Sequence, residues 1–409
     1  MTAGAERQAR TLLSAAAVRE RAHEMLRIGV EGGLRHWRVD LGRLPAAADY
    51  VAEVVRAQYP TLDVPFHARW RHFVVGGRDL WAELGDRRAW RDPAAMARAA
   101  FDLAIISVLL DAGAGADWRY VDGVTGATLS RSEGLAIAGF RMFEAGAFSA
   151  DPADPLRADA ATLRALTAER LEAGFQVSAD NPLVGVEGRA ALLRRLGERA
   201  AERPDLFGAT DTPRPGGLYD ALAVRAENGR LPATTILEVL LEALGPVWEN
   251  RPTLGGAPLG DCWRHPASPH TDGFVPFHKL SQWLSYSLVE PLQAAGVDVV
   301  ELDGLTGLPE YRNGGLFMDL GVLTLVDPAD AERAWAPADE LVVGWRAMTV
   351  ALLDRIAPLV RERLGVTEAA FPLARVLEGG TWAAGRRIAA ERRPGGGPPL
   401  TIVSDGTVF

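Results

Sequence analysis

Lysine is all but missing from this chain. Of 44 basic residues a single one, Lys279, is lysine, and the rest are arginine. Lysine is ordinarily among the commonest residues, so a pressure such as GC-rich coding has exchanged nearly every surface ammonium for a guanidinium. A lysine that survives is a candidate for a place where a compact point charge does what a planar fork cannot; the alternative is chance. Cysteine is equally scarce. Cys262 stands alone, which excludes an internal disulfide and fits a reducing cytoplasm. Long hydrophobic runs are lacking too: uncharged stretches such as Leu103 to Leu110 fall far short of the ~20 residues a membrane helix needs. The Leu12–Val18 run is followed at once by Arg19-Glu20-Arg21, so it reads as a mature helix rather than an export signal. Basic charge is outweighed, 44 residues against 53 acidic ones for a net −9, which argues against nucleic acid held on a broadly basic surface. Neither nucleic acid nor membrane is an expected partner.

What is present is ordinary globular composition, with 48% hydrophobic and 24% charged residues, and this excludes a disordered chain. The 409 residues exceed the ~100–150 of a common domain. The Pro/Gly-rich stretches at 211–217, 251–260 and 394–399 are too short for interdomain linkers. The expectation is one large mainly helical domain over 1–409, with lobes at about 1–205 and 206–409 as the alternative. Apolar spacing predicts helices over 5–27, 101–110, 156–175, 187–203, 233–245, 276–295, 339–364 and 380–393. Pro358 should kink or divide the long one. Ser130 and Glu133 have the spacing of a capping box opening another helix. Strand signals are confined to 298–302, 320–326 and 400–403. The fold class is therefore mainly α with a small β-sheet, α+β, without the regular alternation of a parallel α/β sheet.

Four stretches crowd polar and aromatic residues beside Gly and Pro: His67–Phe73, Gly260–Pro266, Phe277–Trp283 and Asp303–Gly315. Read as a helix, the third places Lys279, Gln282, Trp283 and Tyr286 on one face. A cation, an amide, an indole and a phenol there suit a phosphate and a flat or sugar-like group, although an ordinary amphipathic helix has the same pattern. The fourth offers two carboxylates, Asp303 and Glu310, with Arg312 close behind. A carboxylate on a constrained loop can activate water or stabilise positive charge on a sugar ring; a turn aspartate and a surface ion pair are the plainer alternatives. Gly379-Gly380-Thr381-Trp382 before Arg386 suits a helix start, as a structural cap or as a phosphate cradle. No Walker loop or dinucleotide fingerprint is present, so no cofactor is implied. Asp261, Cys262, His265, His270, Asp272 and His278 cluster in sequence, yet their spacing matches no familiar metal motif, and no metal is expected.

The runs His67–Phe73, Arg131–Leu135, Gly260–Pro266, Gly304–Phe317 and Glu378–Arg386 resemble the uracil-catabolism protein family, across nearly the whole chain. That resemblance implies a role in pyrimidine-ring breakdown. Phe277-His278-Lys279 followed by Leu305-Thr-Gly-Leu-Pro-Glu-Tyr-Arg312 is also similar, more distantly, to the queuosine-salvage glycosidases. Those have a lysine-bearing helix and a Leu-Thr-x-Phe-Ala-Asp-Tyr-Arg loop, and they hydrolyse the N-glycosidic bond of a nucleoside 5′-phosphate on a mainly helical, DNA-glycosylase-like fold. The likeness places Lys279 in the substrate pocket and Glu310 where that family has its catalytic Asp, one methylene longer here.

Together these readings predict a hydrolase of the N-ribosyl bond in a ribosylated, 5′-phosphorylated product of uracil degradation, such as ribosylurea phosphate. Glu310 would stabilise the oxocarbenium charge and orient or deprotonate the attacking water. Lys279 and Arg312 would hold phosphate, and Asp303 or Asp261 would fix ribose hydroxyls or serve the chemistry. His278, Trp263, Trp283, Tyr311 and Arg386 would complete the substrate site. A metal-dependent amidohydrolase built on His265, His270 and Asp261 is a second reading, and a non-catalytic partner of another pathway enzyme a third.

Overall fold

Helices carry the architecture, as the apolar periodicity requires. The structure, a computed structural model, describes residues 3–90, 92–111, 113–208, 212–249 and 251–403. Its contacts divide the chain into two units, neither a continuous stretch. Among the described residues, one comprises 3–67, 251–282 and 301–403, and the other comprises those within 68–249 and 283–300.

The first unit is built on the helix Glu340–Leu364, against which Ala15–Val30 and Leu44–Gln58 pack. The long helix runs through Pro358 without division. The segment expected as one N-terminal helix is two, Ala3–Leu12 and Ala15–Val30. Ser14 interrupts it, because its hydroxyl accepts the Ala17 amide at 3.2 Å and so caps the second helix. Trp37 stacks on Trp345 at 6.4 Å, and Trp345 donates its indole N–H to the Gly314 carbonyl at 3.1 Å. This fixes the helix Tyr311–Asp319 against the long helix. A Cβ on Gly314 would lie 2.7 Å from the Trp345 ring, and one on Gly385 would lie 2.3 Å from the Arg312 carbonyl. Glycine is needed at both places for close approach.

In the second unit, Pro93–Leu109 is apolar almost all round and packs on Arg131–Glu144. Its one carboxylate there, Asp102, is fully buried and paired with Arg214. Ser130 does sit at the N-cap of Arg131–Glu144, but its side chain makes no capping bond, so the expected capping box is not formed. The span 156–175 holds two short helices, Ala160–Arg164 and Ala168–Gly174.

The expected single small sheet is not there. Among the described residues the strands form seven separate two-stranded pairs. Asp298–Val300 pairs in parallel with Arg230–Pro232, Leu323–Leu325 antiparallel with Trp37–Val39, and Thr401–Ile402 in parallel with Ala334–Trp335. Strands of two or three residues have too few backbone bonds to build a layer, so they act as clasps between helices. Residue 211, the first of the loop expected at 211–217, lies outside the described residues.

Candidate functional site

The first unit assembles the carboxylate and the lysine singled out above. The antiparallel pair Cys262–Arg264 and Phe274–Pro276 brings Asp261 beside the start of the helix Lys279–Ala294. The Asp261 carbonyl accepts the Phe277 and His278 amides at 2.9 and 3.1 Å, and its carboxylate accepts the Lys279 amide at 3.1 Å. A carboxylate at a helix N-terminus is favourable in itself. Here it is also held by Arg346, whose two terminal nitrogens each lie 2.7 Å from one Asp261 oxygen, and by the Trp263 indole at 2.8 Å. Burial pushes the Asp261 carboxyl up, but Arg346 and these donors win and hold it well below the usual carboxylate range.

Glu310 caps the next helix. Its two carboxylate oxygens accept the Arg312 and Asn313 amides at 2.8 and 2.6 Å, which explains why a helix begins directly after Pro309. The side chain is buried, 8% exposed. Burial pushes its carboxyl above the usual range, against the pull of those amides and of the charges on Lys279 and His67. The loop before it is tied to the lysine helix: Gln282 donates to the Thr306 hydroxyl at 2.8 Å and accepts the Thr306 amide at 3.3 Å. Arg346 makes a second tie through its Nε to the Pro309 carbonyl at 3.4 Å. The first turn of the lysine-bearing helix, residues 279–282, and the Glu310 loop are thus bonded to each other.

His278, directly before Lys279, is buried and adopts φ 48°, a left-handed conformation that a non-glycine side chain holds at a cost. Its Nε2 bonds the Leu12 carbonyl at 2.9 Å, and burial lowers the imidazole pKa.

Arg312 donates to the Gly396 carbonyl at 2.7 Å and lies 4.8 Å over the Tyr311 ring, tying the helix to the C-terminal loop. Asp303 pairs with Arg361 and accepts the Leu373 amide at 2.6 Å. Arg386 is exposed and covers Trp382 at 4.9 Å. Gly379–Trp382 does not open a helix. It lies within a π-helical turn, Val376–Trp382, continuous with Leu373–Arg375 before it and Ala383–Arg392 after it, so no row of open N-terminal amides is presented there. Trp283 belongs to the second unit, where Arg69 lies 5.5 Å over its ring and His72 meets it edge-on at 5.8 Å. That unit also has a cavity of about 640 Å³ lined by Arg88, Trp90, Arg98, Asp154 and Arg214; no residue singled out from the sequence lines it.

The histidines and aspartates of the 261–278 cluster do not converge. Asp261 is held by Arg346, the His265 ring accepts the Ala267 amide at 3.1 Å, and His270 bonds Glu24 at 2.6 Å. Among the described residues no group of three or more His, Cys, Asp or Glu side chains is placed to hold a metal. The amidohydrolase reading therefore lacks a ligand set there.

Sequence reasoning missed Arg346, and it gave no role to His67 and Glu378. His67 Nδ1 lies 2.6 Å from a Glu378 oxygen, though the two are 311 residues apart. Both fall within runs that carry the family likeness, and that was the only available signal.

The chain is thus largely helical and carries a buried, amide-capped carboxylate on a loop bonded to the start of a lysine-bearing helix. The family model described as "Protein of unknown function (DUF1688)" matches residues 11–409, and the chain belongs to that family. It is 42% identical over 411 residues to "Protein urg3" of Schizosaccharomyces pombe, covering 97% of this chain and 98% of that one. It is 36% identical over 419 residues to "Uracil catabolism protein 4" of Lachancea kluyveri, covering 93% of each. No described helix is long and apolar enough to cross a membrane.

Proposed function

We propose that this protein is an enzyme of uracil breakdown that hydrolyses the N-glycosidic bond of a ribosylated, 5′-phosphorylated uracil fragment, ribosylurea 5′-phosphate being the simplest. The name of the Lachancea kluyveri relative supports the pathway. The observation that carries the chemistry is Glu310: a buried carboxylate, aimed by two backbone amides, on a loop locked to the helix that bears Lys279. In this reading the water oxygen attacks the anomeric carbon and Glu310 accepts its proton. A base raised above the ordinary carboxylate range by burial is better matched to that task than an exposed one. The same carboxylate faces the positive charge that develops on the ribose as the bond to nitrogen stretches. Lys279 supplies a point charge for phosphate. Asp261, Arg346 and Gln282 hold the lysine helix and the Glu310 loop in register, which is how remote packing sustains attack geometry.

Incubating the purified protein with ribosylurea 5′-phosphate tests the reading. It predicts release of ribose 5-phosphate and urea, detected by NMR, and persistence of activity after prolonged chelation. Activity lost to chelator and restored by zinc would favour the amidohydrolase, and no release of ribose 5-phosphate would remove the hydrolase.

A further inference from the structure

The hydrolysis above, on which this inference rests, needs a second proton transfer that Glu310 does not perform. A ureido nitrogen leaving with the electron pair of its glycosidic bond is a strongly basic anion unless it is protonated as it departs. Glu310 takes the proton of the water, so the acid must be another group.

We propose that His67 is the general acid that protonates the departing nitrogen, and that Glu378 is the positioning residue that holds its ring. His67 is buried, 6% exposed, with Nδ1 2.6 Å from Glu378 Oε2. In the doubly protonated ring Nδ1–H is donated to Glu378 and Nε2–H is the transferable proton, the same logic by which a carboxylate orients a catalytic imidazole elsewhere. One helical segment grips the histidine. Ala374 accepts the His67 amide at 3.0 Å, Glu378 holds the ring, and Trp382 lies against it at 5.7 Å.

Glu378 and Trp382 both lie in the π-helical turn Val376–Trp382. A π-turn re-aims side chains relative to an α-helix and is frequent at functional sites. Packing fixes this one: a Cβ on Gly379 would come within 2.8 Å of Val64, and one on Gly380 within 3.0 Å of Val51. Carboxylate-held rings occur elsewhere in the unit, His23 with Asp354, His36 with Asp330 and His270 with Glu24. The π-turn that holds His67 packs against the helix Tyr311–Asp319, which Glu310 caps, and the charge on His67 acts on Glu310.

The step balances. The water oxygen bonds to the anomeric carbon and its proton passes to Glu310. The carbon–nitrogen bond breaks, its electron pair stays on nitrogen, and nitrogen takes the Nε2 proton of His67. A proton then returns from Glu310 to His67 through solvent.

A pair of substrates tests this: ribosylurea 5′-phosphate, and 4-nitrophenyl riboside 5′-phosphate, whose leaving group departs without a proton. His67→Gln should lower kcat on the ureido substrate by ~10²-fold or more and leave the nitrophenyl substrate near wild type. Glu378→Gln should show the same selectivity to a smaller degree, and Glu310→Gln should lose both. Comparing two substrates on one variant cancels any loss of folded enzyme, and His67→Asn, whose amide can still donate to Glu378, is the second variant. Equal losses on both substrates, or none on either, would overturn the acid assignment. Wild-type protein that cleaves neither would overturn the hydrolase reading itself.

Discussion

Arg346 holds Asp261 through two hydrogen bonds of 2.7 Å each, and Asp261 in turn accepts the Lys279 amide at the start of its helix. Arg346 is 1% exposed and lies 4.1 Å over the Phe277 ring, so its charge has been taken out of water. Removing the partner of such a charge costs far more than the pair contributes.

Asp261→Asn should therefore destabilise the fold by ~3–5 kcal/mol, the usual cost of leaving one member of a buried pair uncompensated. A clear drop in melting temperature is expected, with loss of turnover following from the displaced start of the Lys279–Ala294 helix. A variant that melts like wild type but has no activity would instead give Asp261 a direct part in the chemistry.

Lys279→Arg keeps the charge and changes its shape. Binding or turnover should weaken at least tenfold, ~1.4 kcal/mol, with little change in melting temperature, because the charge is kept and the backbone amide of residue 279 still bonds Asp261. Wild-type kinetics in that variant would reduce the scarcity of lysine to coding chance.

Asp272 gives the chain an acid-sensitive clasp. Burial raises its carboxyl, but Arg21, the Phe274 amide and Gln8 outweigh this and bring it down to about 2. A carboxylate whose folded pKa is depressed adds stability above its unfolded value of 3.8, and that stability is lost as pH falls toward 2. Melting temperature followed from pH 5 to pH 2 should fall less steeply in Asp272→Asn than in wild type. Parallel curves would show that the Arg21–Asp272 pair contributes nothing to acid stability.

The sequence made much of this legible where apolar spacing runs unbroken. Val186–Glu202 and Ala233–Leu244 lie close to their expected spans. The expected N-terminal helix failed at Ser14, because apolar periodicity continues through a serine whose hydroxyl caps a new helix. The sheet failed because its strands are two or three residues long, too short for alternation to register, and their partners lie far off in sequence, as Trp37 and Leu325 do. In the site, Lys279 and Glu310 were visible from scarcity and from a constrained loop. Arg346 was one arginine among many on a buried helix. No spacing rule joins His67 to Glu378, and a π-turn has no sequence signature that periodicity can read.

The proposed hydrolysis depends on Glu310 as the carboxylate acting on the anomeric carbon and its water. Glu310→Gln keeps the size and much of the helix cap while removing the charge and the basic oxygen. In wild type, kcat should fall as pH drops, with a midpoint above the 4.5 of an ordinary glutamate, because the ionised form is required and burial raises its pKa. The decisive measurement is kcat and KM of wild type and Glu310→Gln on ribosylurea 5′-phosphate across that range. In the variant kcat should fall ~10²–10⁴-fold, KM should change far less, and the acid limb should disappear. Both constants near wild type, with turnover abolished instead by substitution of Asp261 or Asp303, would contradict it.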